Sequence, residues 1–141
     1  MSSTSDHQIL ENQLCFPLYA ASRLVTRLYQ PLLEQYKLTY TQYIVLMILW
    51  QDDGLSVKKI GEKALLNSNT LTPLLKRMQQ AKLLERIKNE SDERQVDIKL
   101  TAKGWQLKHD LACIPQQLIS QTDYDAENAK QLKVLLEQLI T

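Results

Sequence analysis

The spacing of apolar residues changes along this chain, and each change marks a new element. Between about residues 12 and 35, Leu14, Leu18, Ala21, Leu24, Val25, Leu28 and Leu32 recur every three or four positions, with Arg23, Arg27 and Gln30 elsewhere. That spacing predicts a long helix, whose last turns Pro31 should bend or interrupt. A second helix is expected after Thr39-Tyr40-Thr41, with Thr41 as its N-cap, running to about Gln51. Asp52-Asp53-Gly54 then supplies the stop.

The next stretch is the most regular. Ser56 can cap a short helix over 57–64 that places Val57, Ile60 and Ala64 on one face. Asn67-Ser68-Asn69 reads as a polar break before a longer helix ending near Ala81. There Leu71, Leu74, Leu75 and Met78 hold the i, i+3, i+4 and i+7 positions of a buried face. Pro73 is expected near the first turn, where few amide donors have helical partners.

Beyond it the period falls to two. Leu83, Glu85 and Ile87 alternate with Leu84, Arg86 and Lys88, and Val96, Ile98 and Leu100 alternate with Asp97 and Lys99. The polar run 89–94 between them makes a β-hairpin with a charged tip. Thr101 is the expected cap of a further helix reaching about Cys113, where Pro115 disturbs it. A last helix, from about Asp125 to Ile140, repeats leucines at 132, 135, 136 and 139.

The expected fold is therefore mainly α with a small β-hairpin wing, in one domain spanning 1–141. A winged helix-turn-helix occupies 56–100, flanked by helices over 12–35 and 101–141. The flanking apolar faces are too long for a winged helix to cover. Dimerisation is their simplest use, and folding back on their own core is the alternative.

Charge sharpens this picture only when divided. The net charge of +1 hides a balance of +5 over 56–103 and −4 over the remainder. A basic middle between acidic ends suits a polyanionic partner, here double-stranded DNA. The longest apolar stretch, Tyr43 to Trp50, is too short to cross a bilayer, so no membrane partner is expected. The opening Met1-Ser2-Ser3-Thr4-Ser5-Asp6-His7 lacks the features of a signal peptide, so a cytoplasmic location is expected. Two cysteines make no disulfide scaffold and have no zinc-like spacing, and His7 and His109 are isolated. No cofactor or metal is expected.

In a winged helix-turn-helix the second helix enters the major groove, and its outward residues must reach the DNA. Asn69, Thr70 and Thr72 suit base edges or phosphates, while Lys76 and Arg77 suit phosphates. Arg94, at the hairpin tip, is a candidate for the minor groove. A dimer would pair two such helices on half-sites about one turn, roughly 10 base pairs, apart.

Cys15 is the chemical singularity of the N-terminal segment. A helix beginning at or near it places its sulfur beside unpaired N–H groups and the positive end of the helix dipole. That setting favours the thiolate, the form that peroxides oxidise.

Three stretches carry a family resemblance. They are Leu10-Glu11-Asn12-Gln13-Leu14-Cys15-Phe16 with Tyr19-Ala20-Ala21-Ser22-Arg23, then Asn67 to Arg77, then Asp92-Glu93-Arg94 with Leu100-Thr101-x-x-Gly104. Over about residues 8–115 the chain resembles the MarR family of winged-helix regulators, and within it the organic-hydroperoxide-resistance type. Asp92 and Arg94 match the family's wing motif; the cysteine-bearing stretch is similar to the peroxide sensors.

The resemblance implies a homodimeric repressor, not an enzyme. Its reduced form holds a pseudo-palindromic operator, and oxidation of Cys15 by organic hydroperoxide releases it. It also implies that Tyr29 and Tyr40 are the sensor tyrosines whose hydroxyls bond the partner subunit's reactive cysteine; Tyr36 and Tyr43 read as core aromatics. Two readings stay open for Cys113. It is either the resolving cysteine of an intersubunit disulfide or a small apolar core residue, and in the latter case Cys15 stops at a sulfenic acid or pairs with a low-molecular-weight thiol. Asn69 stands where a glycine is usual, which bears on the bases read. The competing functions are release by a phenolic or other small acid bound in an apolar, aromatic cleft, and thiol peroxidase activity. Against the latter, no His or second acid is placed for turnover.

Overall fold

In the computed structural model, which describes residues 7–141, the helix with no polar face is the central one. Helix α1 is Cys15–Glu34, preceded by a single 3₁₀ turn at Leu10–Asn12; α2 is Tyr40–Gln51, α3 Val57–Ala64 and α4 Ser68–Gln80. Strands β1, Leu84–Lys88, and β2, Val96–Leu100, form an antiparallel hairpin with Leu84 opposite Leu100 and Lys88 opposite Val96. Helices α5 (Ala102–Asp110), α6 (Ile114–Ser120) and α7 (Ala126–Ile140) complete the order. The chain forms two compact units, one ending at Leu111 and the other Ala112–Thr141.

The first unit is a winged helix-turn-helix built around α2. Val45, Leu46 and Leu49 of α2, Ile60 of α3, and Leu71, Leu75 and Met78 of α4 are fully buried with Leu33, Leu84 and Ile98. The i, i+3, i+4, i+7 face read from α4 is the buried face. Ser56 caps α3 by accepting from the Lys59 amide (3.1 Å), and Thr101 caps α5 by accepting from the Gly104 amide (3.2 Å).

Several boundaries differ from the sequence reading. The cap of α2 is Thr39, not Thr41. Its hydroxyl accepts from the Gln42 amide while the Gln42 side chain accepts from the Thr39 amide, a reciprocal capping box that leaves Thr41 inside the helix. Helix α4 starts earlier than expected, because the Asn67 side chain caps it by accepting from the Thr70 amide (3.0 Å). Ser68 and Asn69 are therefore its first turn, and Pro73 lies beyond that turn. Pro73 and Asn69 are both exposed, so the carbonyl that proline leaves without a donor faces solvent. Helix α1 runs through Pro31 without a break in its assignment. Helix α5 stops at Asp110, not Cys113, and Pro115 opens α6 instead of disturbing α5. The segment expected as dimerisation helices over 101–141 thus divides: α5 packs in the first unit, with Gly104 and Leu107 buried.

Apolar side chains remain uncovered in each unit. Leu14, just before α1, and Phe16, Tyr19, Leu24 and Val25 within it are exposed, and only Leu33 of that helix is buried. In the second unit, Asp125 caps α7, whose Leu132, Val134, Leu135, Leu139 and Ile140 face solvent.

Candidate functional site

The polar face of α4 and the wing tip form one candidate interface. With Leu71, Leu74, Leu75 and Met78 turned inward, Asn69, Thr70, Lys76 and Arg77 are exposed and Thr72 is half-buried. Ser68, which the sequence reading left in a polar break, is exposed at the first helical position. A capping asparagine one residue earlier was the signal that marks it as part of the helix N-terminus, where amides and positive dipole favour phosphate.

The wing is organised by Asn89, which the sequence reading did not single out, and by Asp92, which it did. Asn89 accepts from the amides of Ser91 (2.8 Å) and Asp92 (3.1 Å), and its own amide donates to Asp97 (2.8 Å). Asp92 accepts from the Arg94 amide (3.0 Å), so its carboxylate is engaged in holding the turn that presents Arg94, which is exposed. At the base of the hairpin, the Ile98 amide donates to the Leu55 carbonyl (2.8 Å) and the Leu100 amide to the Asp53 carboxylate (2.9 Å). Asp53, read from sequence only as a helix stop, also anchors the wing.

The residues expected from sequence to form the redox site are spread differently. Cys15 is the first residue of α1 and is exposed, and no side chain caps that helix. Tyr29 and Tyr40 are together: their rings lie 4.8 Å apart at 41°. Tyr43 joins them at 5.9 Å from Tyr29, and Trp50 meets Tyr43 edge-on at 6.1 Å. Tyr43 is a core aromatic, as expected; Tyr36 is partly exposed, with its hydroxyl donating to the Asp110 carbonyl (3.4 Å).

Burial raises the Tyr29 hydroxyl above its ordinary 10.0, with Tyr40 and then Tyr43 adding to the shift. Burial, then Tyr40, likewise raises Tyr43. Both phenols accordingly stay protonated, as hydrogen-bond donors, throughout the physiological range.

Cys15 and Tyr29 cannot meet within one chain. Both lie on α1, and a helical rise of 1.5 Å per residue puts them about 21 Å apart. The cleft beside Tyr40, of about 340 Å³, is lined by Thr26, Gln30, Glu34, Lys37, Leu38 and Thr39. Although several of these residues are polar, most of the surface that lines the cleft is apolar. Cys113 is exposed at the start of α6 and His109 is exposed on α5. Among the described residues no cluster of His, Cys, Asp or Glu is grouped to hold a metal, and no helix is long and apolar enough to cross a membrane.

A family model described as transcriptional regulator SarA/Rot matches residues 27–111, from the second half of α1 through the wing to the end of α5. The chain belongs to the MarR/SarA family of winged-helix transcriptional regulators. One curated relative in that family is the organic hydroperoxide resistance transcriptional regulator of Bacillus subtilis. It is 47% identical over 140 residues, covering 99% of this chain and 95% of the relative. Among solved structures, reduced AbfR bound to DNA, a Staphylococcus epidermidis protein, matches with a TM-score of 0.80 at 36% identity, over 96% of this chain and 94% of that one. Disulfide-formed AbfR matches less closely, with a TM-score of 0.63 at 37% identity, over 96% of this chain and 90% of that one. Family members are DNA-binding regulators rather than enzymes, and this chain is one of them.

Proposed function

We propose that this protein is a redox-sensing repressor that grips a pseudo-palindromic operator as a reduced homodimer and releases it when organic hydroperoxide oxidises Cys15. The observation that carries this reading is the separation of Cys15 from the Tyr29–Tyr40 pair on a single helix. A thiol at one end of α1 and two donor phenols toward the other complete a site only when two chains run past each other. The uncovered apolar faces of α1 and α7 support such pairing. Homology to a hydroperoxide-resistance regulator over nearly the whole chain supports the same trigger.

The chemistry balances without a cofactor. The Cys15 thiolate attacks the distal oxygen of the hydroperoxide; an S–O bond forms, the O–O bond breaks, and the departing alkoxide takes a proton to leave as alcohol. Sulfur gives up two electrons and becomes a sulfenic acid. A thiol, either Cys113 or a low-molecular-weight thiol, then condenses with it and expels water. The bulkier, differently bonded sulfur no longer fits the phenolic donors that held the thiolate. The helices bearing them shift, and the paired recognition helices lose their spacing.

On DNA, Ser68, Asn69, Thr70 and Thr72 contact the major groove, Lys76 and Arg77 hold phosphates, and Arg94 enters the minor groove from a tip shaped by Asn89 and Asp92. These partners are reached in the cytoplasm. In gel-shift assays on a duplex selected from a random library with reduced protein, cumene hydroperoxide should release wild type and leave Cys15→Ser bound. Equal release of the two proteins overturns the reading. Intact mass and non-reducing electrophoresis of the oxidised protein assign its end state: a Cys15–Cys113 crosslink gives a covalent dimer, and a mixed disulfide gives a monomer with added mass.

A further inference from the structure

Resting on that reading, we propose that Trp50 is a positioning residue that transmits the state of the tyrosine pair to the recognition helix and wing. It does so through its indole N–H bond to the Gly104 carbonyl.

The transmission begins on α2, which carries Tyr40, Tyr43 and Trp50. Tyr43 touches Tyr29 on one side and Trp50 on the other, so the sensor rings and the indole form one continuous aromatic contact. A tilt imposed on Tyr40 at the start of α2 is delivered at its far end, about 15 Å away. There the Trp50 N–H donates to the carbonyl of Gly104 at 3.0 Å. A phenylalanine would supply an aromatic ring in this apolar helix but no donor; the tryptophan adds one polar handle, and that handle is engaged.

Gly104 has no slack to absorb a push. A Cβ at this position would lie 2.3 Å from the Leu83 carbonyl oxygen and 3.0 Å from Leu100 Cδ2, so the backbones of α5 and the α4–β1 connection are in contact. The first turn of α5 also holds three successive carbonyls of that connection. The Lys103 ammonium donates to Ala81 (2.9 Å), the Thr101 hydroxyl to Lys82 (2.6 Å) and the Thr101 amide to Leu83 (3.1 Å). Those three residues end α4 and lead into β1. Movement of Gly104 therefore moves both DNA-reading elements together, at their shared hinge.

The test uses the full-length homodimer and a duplex selected on reduced wild type. Trp50→Phe keeps the ring and removes the donor. The expected result is that Cys15 oxidises at the wild-type rate while the ratio of reduced to oxidised DNA affinity falls by about fivefold or more, within the usual range of coupling between sites. A purely structural role lowers thermal stability and weakens both states alike; an unchanged ratio overturns the proposal. Should Trp50→Phe not fold, Trp105→Phe leaves Trp50 as the single reporter. Its emission should then change when Cys15 is oxidised, and constant emission overturns the proposal. Wild type that keeps its DNA after oxidation of Cys15 overturns the underlying reading instead, and the relay with it.

Discussion

At the scale of single residues, the least expected feature is where the backbone turns left-handed. Lys37, Leu65 and Lys82 all have φ near +60°, and each follows a helix in the position where glycine is usual. At Lys82 the helix-ending bonds are complete, from its own amide to Gln79 (2.9 Å) and from the Leu83 amide to Met78 (3.0 Å). A lysine or leucine gives no sequence signal for that geometry, so these stops were not legible, whereas Gly54, with φ of +81°, was. Lys82→Gly should relieve the left-handed strain and raise unfolding stability by up to about 1 kcal/mol in urea titration; equal or lower stability contradicts this. The buried phenols make a second prediction. Because Tyr29 and Tyr43 are raised above 10.0 when folded, their contribution to stability should be flat below that pH. Above it the unfolded chain loses protons first, and stability falls as pH climbs toward the folded values. Tyr29→Phe should show a shallower alkaline decline in chemical denaturation; a decline matching wild type argues against the shift.

At the scale of elements, periodicity carried most of the fold and capping chemistry decided its edges. The face of α4, the register period of the wing and the caps Ser56 and Thr101 were readable, because burial enforces 3.6- and 2-residue repeats. The cap of α2 was not, because Thr39 and Thr41 both suit the role and only the reciprocal bond with Gln42 decides between them. The wing tip was seen as a charged run, yet its order comes from Asn89, an uncharged residue bonding two amides and Asp97. Asn89→Ala should weaken DNA binding by roughly fivefold to tenfold, as loss of about 1 kcal/mol of tip order leaves Arg94 less fixed. Anisotropy titration beside a thermal melt checks this: unchanged affinity would mean that the tip does not need its asparagine.

At the scale of the whole molecule, the sequence reading singled out Cys15, Tyr29 and Tyr40, and the structure adds the distance along α1 between Cys15 and the tyrosine pair. Cys15, Tyr29 and Tyr40 lie close together in a list of residues. The continuity of α1 keeps the thiol and the phenols apart within one chain, which supports the intersubunit site that the family resemblance implies. On the proposed reading, the dimer completes the redox site as well as covering the exposed apolar faces of α1 and α7. The most direct measurement is to titrate reduced protein with substoichiometric cumene hydroperoxide, following Cys15 sulfenic acid by mass spectrometry and DNA binding by anisotropy in the same samples. The account predicts that binding is lost in proportion to Cys15 oxidised. Full binding with Cys15 quantitatively oxidised would contradict it.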